Sequence, residues 1–490
     1  MLDLGNYYKR VAFLLFSGGS FLLFSLSCTS KNKHAEGEKL AKIHCASCHM
    51  FPDASTLPRR TWGEKVLPNM GLKMGMAHGP IYTYGNPDSI SNLSPSMPQE
   101  EWDKIVYYYL NRSENTTPGY LIEEPKFDTL FEPNVFLLDS LPLLTMTTYD
   151  EEKGKLFLGN ATNSTLMALT PDGELINSQK LDSPPVKMIT KDSLDYLLTI
   201  GNLNPSDEAK GKLQIGDNVI EDLIRPVDFL IRDVDSDGYD DIFICNYGHN
   251  LGDFSWYRNL KDGRYEKRII HPLSGAIKVE IANMDEDEED EIVVLFAQEH
   301  EKMVIWDLVD NTFVSTEVVQ FQPAFGAVDF QLADMNGDDL TDIIIGNGDN
   351  SDLSTVLKNY HGVRVLINKG EKEFSEDFFL PIHGVSKIVV EDFDLDQDPD
   401  ILAISNFGEF SNPKFKSVQL ILNQGNLNFE GKHIKDLPDF RWQTIDVSDY
   451  DMDGDFDVFL GSFNLNVGPE ASDTSDKQPV SWVKLENKSH

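Results

Sequence analysis

Asp233-Val-Asp-Ser-Asp-Gly-Tyr-Asp-Asp lies between two apolar runs, and its nine-residue pattern returns four more times. The other copies are Asn283-Met-Asp-Glu-Asp-Glu-Glu-Asp-Glu, Asp334-Met-Asn-Gly-Asp-Asp-Leu-Thr-Asp, Asp392-Phe-Asp-Leu-Asp-Gln-Asp-Pro-Asp and Asp449-Tyr-Asp-Met-Asp-Gly-Asp-Phe-Asp. Each carries an oxygen-bearing side chain at positions 1, 3, 5 and 9. Oxygens so spaced on a short loop converge on one hard cation, and calcium suits them. The candidate ligands are Asp233, Asp235, Asp237 and Asp241; Asp334, Asn336, Asp338 and Asp342; Asp392, Asp394, Asp396 and Asp400; Asp449, Asp451, Asp453 and Asp457. Position 6 calls for a sharp turn, and only Gly238 and Gly454 supply glycine there. Asp339 tolerates a left-handed backbone, while Glu288 and Gln397 suit it less. The first and fifth loops therefore fit best, the third and fourth next, the second least. A lone Asp-rich loop is usually a solvated turn, but five recurrences at fixed spacing argue against that for the set.

The flanks decide the fold class. Ile242-Phe-Ile-Cys, Ile292-Val-Val-Leu, Ile343-Ile-Ile, Ile401-Leu-Ala-Ile and Val458-Phe-Leu follow the loops. Short continuous apolar runs suit strands covered on both faces, which disfavours the helical flanks of an EF-hand. Two weaker copies, Lys155-Leu-Phe-Leu-Gly and Tyr196-Leu-Leu-Thr-Ile-Gly, keep the strand and lose the ligands. That makes seven units at a period of about forty to sixty residues, the length of a propeller blade. The loops and strands resemble the FG-GAP or VCBS repeats of integrin-like β-propellers, over most of residues 130–490. The resemblance implies seven blades, with structural calcium loops joining the first two strands of each. Val480-Ser-Trp-Val-Lys-Leu pairing with Asn134-Val-Phe-Leu-Leu would close the ring and remove its edges.

Ahead of these repeats stands Cys45-Ala-Ser-Cys-His49. The C-x-x-C-H spacing suits covalent c-type haem, with Cys45 and Cys48 on the two vinyl groups and His49 under the iron. Thioredoxin-type chemistry needs no such His, and a structural zinc would want a second ligand pair. Helical periodicity enters the motif through Leu40 and Ile43, a second helical stretch spans Trp62 to Leu67, and a Gly, Met and Pro-rich loop runs from Asn69 to Pro98. A last helix, Gln99 to Asn111, presents Trp102, Ile105, Val106, Tyr109 and Leu110 on one face. This layout resembles a class I cytochrome c. The resemblance implies a distal Met, placed at Met97, with Met70 the rival and Met74 and Met76 further candidates; a thioether ligand suits an electron carrier. His44 and His78 read as ordinary residues.

The chain has 490 residues, with 42 basic and 81 acidic side chains and a net charge of −39. That charge excludes nucleic acid as a partner and favours bound cations. Lys9 and Arg10 precede an apolar run, Val11 to Leu26, which is broken by Ser17-Gly-Gly-Ser and ends at Ser27-Cys28. This reads as a signal peptide rather than a membrane span. The small residue before Cys28 resembles a relaxed lipobox, so Cys28 is the expected lipid carrier, with ordinary cleavage nearby the alternative. Either route exports the chain, as c-type haem attachment requires. Cys245, the remaining cysteine, lies in an apolar run and reads as a small core residue.

The expected domains are a signal peptide over 1–27, a tether over 28–36, a small all-α cytochrome c domain over 37–118 and an all-β propeller over 119–490. The leading functional expectation is an exported lipoprotein, held on a membrane at the periplasm or cell surface, that transfers electrons through one haem c to a redox partner protein. Its calcium-bound propeller would dock a partner or ligand. One alternative makes the propeller a dehydrogenase, acting on a sugar or alcohol with a quinone and passing electrons to the haem. The other makes it a glycan- or protein-binding scaffold. The propeller region has no G-x-S-x-G, no H-E-x-x-H and no phosphate-cradling glycine loop. His249, His271, His300, His361, His383 and His433 share no metal-site spacing. No catalytic residue is assigned.

Overall fold

The apolar runs behind the acidic loops become strands because both their faces are covered. Asp241–Asn246, Glu291–Phe296, Asp342–Asn347, Asp400–Ser405 and Asp457–Ser462 are buried at every position. In the computed structural model each is the second strand of an antiparallel sheet, and seven sheets form a seven-bladed β-propeller. The structure describes residues 25–76, 94–116, 120–138, 141–285, 287, 289–349, 356–464 and 480–489. The innermost strands are Leu144–Asp150, Pro185–Lys191, Pro226–Arg232, Ala276–Ala282, Ala327–Ala333, Val385–Glu391 and Trp442–Ser448, for blades 1 to 7. The weaker copies are the second strands of blades 1 and 2, Lys155–Asn160 and Leu194–Thr199. The acidic loops join first and second strands in blades 3 to 7, as expected.

The ring closes as the sequence suggests. Phe131–Phe136 pairs antiparallel with Trp482–Asn487, placing Val135 opposite Val483. An early strand thus becomes the outer strand of blade 7, and Phe136 stacks on Trp482 with ring centroids 3.9 Å apart.

A second regularity was not visible beforehand. All seven innermost strands shift register at their second residue, between Leu144/Met146, Pro185/Lys187, Pro226/Asp228, Ala276/Lys278, Ala327/Asp329, Val385/Lys387 and Trp442/Thr444. A bulge re-aims the next side chain. The residues after the bulge alternate in charge over five blades: Lys187, Asp228, Lys278, Asp329, Lys387. Lys187 reaches Asp228 at 2.5 Å, while Lys278 and Lys387 reach Asp329 at 3.0 and 3.5 Å. The same carboxylates accept backbone N–H groups from the next blade, Asp228 from Val279 and Asp329 from Ile388. Buried carboxylates so paired and hydrogen-bonded help to fix how neighbouring blades meet.

The helical part of the expectation is also present. The first helix, Ser25–His44, packs on the last, Gln99–Arg112, and the approach is close: a Cβ on Gly37 would lie 2.4 Å from the Lys104 carbonyl oxygen. Trp62 stacks on Tyr109 at 4.3 Å, and Ala41, Leu57, Val66, Trp102 and Ile105 complete the core. Between them, Arg59–Thr61, Trp62–Val66 and Leu67–Lys73 run on as one helix with a wide π turn in its middle. Two boundaries move. Residues 31–36 are helix rather than tether, because Lys, Glu and Ala are good helix formers and Lys104 pairs with Glu36 at 3.0 Å. The second helical stretch continues to Lys73, past the expected loop start at Asn69. The signal-peptide reading up to residue 24, His78 and Glu288 lie outside the described residues, as does the side chain of Cys28. Among the described residues no helix is long and apolar enough to cross a membrane.

At the joint between blades 7 and 1, Asp446 accepts the Tyr149 N–H at 2.6 Å. Burial, with Glu151 adding repulsion, pushes its carboxyl up to about 7. A raised carboxyl favours the folded state below its unfolded value near 4, and that stability is lost as pH rises through 7. Asp446→Asn should therefore reduce the fall in melting temperature between pH 4 and 7.5. An unchanged slope would locate the ionisation elsewhere.

Candidate functional site

Antiparallel meanders that start at the axis send their first and third turns to one face of the ring and the others to the opposite face. The acidic loops occupy the first face. In four of them the position-1 carboxylate caps the turn in one way. Asp233 accepts N–H groups from Asp237 and Gly238, Asp334 from Asp338 and Asp339, Asp392 from Asp396 and Gln397, and Asp449 from Asp453 and Gly454. The predicted left-handed position 6 is found, and Gln397 adopts it at φ +78° despite its side chain. Position 4 is left-handed too, at Ser236, Gly337, Leu395 and Met452. Two such residues with one between them curl the loop so that its alternate side chains face inward.

Convergence differs from loop to loop. Oxygens of Asp233, Asp235 and Asp237 lie within 4.8 Å of one another, as do those of Asp392, Asp394 and Asp400, of Asp449, Asp451 and Asp453, and of Asp285, Asp287 and Glu291. No such group of three appears among the described residues of the Asp334–Asp342 loop, where Asn336 stands at position 3 and donates to Asp338. Buried oxygens without a hydrogen bond remain at Asp235 Oδ1, Asp394 Oδ1 and Asp457 Oδ2. A carboxylate oxygen stripped of water wants a cation or a donor, so the first, fourth and fifth loops fit a hard divalent ion. Burial, reinforced by neighbouring carboxylates, pushes Asp400 and Asp457 up to about 7 and Asp241 and Asp342 up to about 6.

The position-9 carboxylates also serve a link that sequence reasoning missed. Asp241, Asp342, Asp400 and Asp457 accept the backbone N–H of Asn259, Asn368, Asn423 and Asn487, each at the end of its blade's third strand. Three of these asparagines then donate across to the preceding blade's acidic loop: Asn368 to the Met284 carbonyl, Asn423 to Met335 and Asn487 to Phe393. The signal was an Asn closing the third apolar strand of successive repeats.

On the opposite face sits the helical unit. Lys73 pairs with Glu299 at 2.7 Å, the Gln322 side chain accepts the Asp53 N–H, and the Tyr360 hydroxyl donates to the Thr56 carbonyl. Ala324 joins the helical core. The unit is thus seated on loops of blades 4 and 5. Within it, Cys45–Ser47 is a 3₁₀ turn, which puts Cys45 and Cys48 one turn apart on one side. The Cys45 thiol faces the apolar core and burial pushes it up to about 11, whereas Cys48 is exposed. His49 Nδ1 bonds the Met50 carbonyl at 2.8 Å, leaving Nε2 for another partner. Met76 and Met97 are buried in the cluster that includes Cys45, and Met70 and Met74 pack against it. All four candidate methionines are brought together, and the geometry singles out none. Cys245 is fully buried in blade 3, as expected.

The FG-GAP-like repeat family matches residues 233–294, from the first acidic loop into the second strand of blade 4. The chain contains an FG-GAP-like repeat. Among solved structures, the WD40 domain of Neurospora crassa Pan2 is similar at 10% identity and a TM-score of 0.46, over 76% of this chain and 98% of that one. BBS1N in complex with ARL6DN is similar in a mercury-soaked crystal at 10% identity and a TM-score of 0.41, over 75% of this chain and 97% of that one. In a lead-soaked crystal the figures are 12% and 0.44, over 74% and 98%. Comparison with curated proteins gives no match.

Two outcomes follow. Chelation with EDTA should lower the melting temperature by about 10 °C, the scale expected when a few tightly held ions are lost; an unmoved transition would count against ion binding. Asn423→Ala strands the Met335 carbonyl and should cost about 2 kcal/mol in urea unfolding. A cost within error would show the link between blades to be dispensable.

Proposed function

We propose that this chain is a ligand-binding scaffold: a propeller braced by calcium in its acidic loops and presenting the loops of several blades to a protein or glycan partner. The observation that carries this reading is the seven-bladed ring with its FG-GAP-like repeat at 233–294. Loops held on rigid strands are suited to recognition. The fold alone serves binding proteins and enzymes alike, so the partner's class rests on surface chemistry. The net charge of −39 favours cationic or neutral ligands over polyanions. We place the protein outside the cytoplasm, anchored by lipid at Cys28, on the strength of the basic-then-apolar segment that ends at Ser27-Cys28.

A specific observation favours a second activity on the same chain. Cys45, Cys48 and His49 form one turn beside a core that gathers four methionines, and these residues fit a covalent c-type haem. Cys45 and Cys48 would hold it through thioethers, with His49 Nε2 and the sulfur of Met97 or Met70 as its further ligands. Such a group supplies one-electron transfer, here toward a redox partner protein. The chain's own contribution is to fix the His49 ring through the Met50 carbonyl and to pack Cys45 against the helical core.

The test is made on full chain produced with haem-maturation machinery, using visible spectra and binding to glycan and protein panels in calcium and in EDTA. We expect calcium-dependent capture of a defined ligand together with a covalent haem band. A missing band would remove the electron-transfer reading and leave the scaffold. A band reduced by a sugar or alcohol substrate would overturn the scaffold in favour of a dehydrogenase.

A further inference from the structure

The Asn283–Glu291 loop of blade 4 differs from the other converging loops in what fills it. Lys372, on the turn between the third and fourth strands of blade 5, reaches back into blade 4. Its Nζ lies 2.9 Å from Asp285 and 3.3 Å from Glu291, two of the three residues whose oxygens converge there. It also contacts Asp307 on the third strand of blade 4. We infer that Lys372 takes the place of a metal ion in this loop, so that an ammonium from blade 5 staples blade 4 where calcium serves elsewhere.

Exposure separates this arrangement from the loop of blade 3. There Arg258 and Lys261 contact Asp235 and Asp237, but their side chains are 34% and 47% exposed and have open water to withdraw into. Lys372 is only 8% exposed. Withdrawing it would leave the carboxylate of Glu291, only 2% exposed, without its cation. Burial disfavours the charge on Lys372, but Asp307 and Asp285 outweigh that and hold it protonated. The blade 6 loop shows the contrary case: among the described residues, Asp392, Asp394 and Asp400 have no Lys or Arg partner. Blade 1 repeats the substitution: where the ligand pattern is lost, Lys153 contacts Asp150 of its own blade and Asp195 of blade 2. A side-chain cation has one advantage over an ion. It cannot be chelated or diluted away, so this joint is independent of calcium supply.

The inference rests on the calcium reading only for its contrast between loops, and the experiment keeps the two apart. Calcium stoichiometry is measured by titration calorimetry on wild type, Lys372→Met and Asp285→Asn, each with melting curves in EDTA. Wild-type stoichiometry tests the calcium reading. The inference predicts that Asp285→Asn leaves the stoichiometry unchanged. It also predicts that Lys372→Met melts several degrees lower in EDTA, gains one calcium per chain and recovers the loss when calcium is added. A drop of one ion in Asp285→Asn would overturn it, as would unchanged stoichiometry in Lys372→Met. If Lys372→Met fails to fold, the Asp285→Asn stoichiometry alone decides.

Discussion

A ring of sheets holds only if its first and last members are joined, because an open ring exposes two unpaired edges and frees every blade to splay. Here the joint is the pairing of Phe131–Phe136 with Trp482–Asn487, which weaves residues more than three hundred positions apart into one blade. Loop geometry on both faces depends on it, since converging oxygens and seated helices require blades at fixed angles. The polar links between blades extend the same logic around the ring. Each Asp or Asn that reaches into a neighbour trades solvation for a buried hydrogen bond, which is tolerable only where the partner's backbone is already in place.

Electrostatics sets the second constraint. Many of the acidic side chains lie in short loops on one face, where their carboxylates come within 4.8 Å of one another and repel. The chain relieves this in several ways. Position-1 carboxylates take backbone N–H groups within their own loop, position-9 carboxylates take them from an asparagine at the third strand's end, and Lys153 and Lys372 pair with acidic groups of blades 1 and 4. Asp400 and Asp457 show what is left over: even with backbone donors their carboxyls stand near 7.

The acidic loops, the buried second strands, the blade number and the closing strand were legible because each expresses a period or a pattern several residues long. The alternating charges on the innermost strands were not. A single Lys or Asp in an apolar strand, such as Lys278 or Asp329, reads as an isolated polar residue until the bulge before it is seen. Lys372 was hidden for a related reason: it lies more than eighty residues from the loop it fills. The stretch 31–36 was misjudged because polar composition suits a tether and a solvated helix equally, and the partner that settles the matter, Lys104, comes from the last helix. The haem-like motif was legible as a motif. Its seat on blades 4 and 5 was not, since contacts such as Asp53 with Gln322 leave no trace in local sequence.

That seat bears on how the two parts of the chain act together. The contacts that hold the helical unit are not confined to one ion pair: a backbone N–H meets Gln322, a carbonyl meets Tyr360, and Ala324 enters the helical core. Polar contacts made with backbone groups are positionally exact, because the backbone cannot turn away as a long side chain can. Ala324, partly buried against the helical core, adds an apolar contact, which salt does not screen. The Cys45–His49 turn is therefore held at a fixed place over the loops of blades 4 and 5, not carried on a flexible arm.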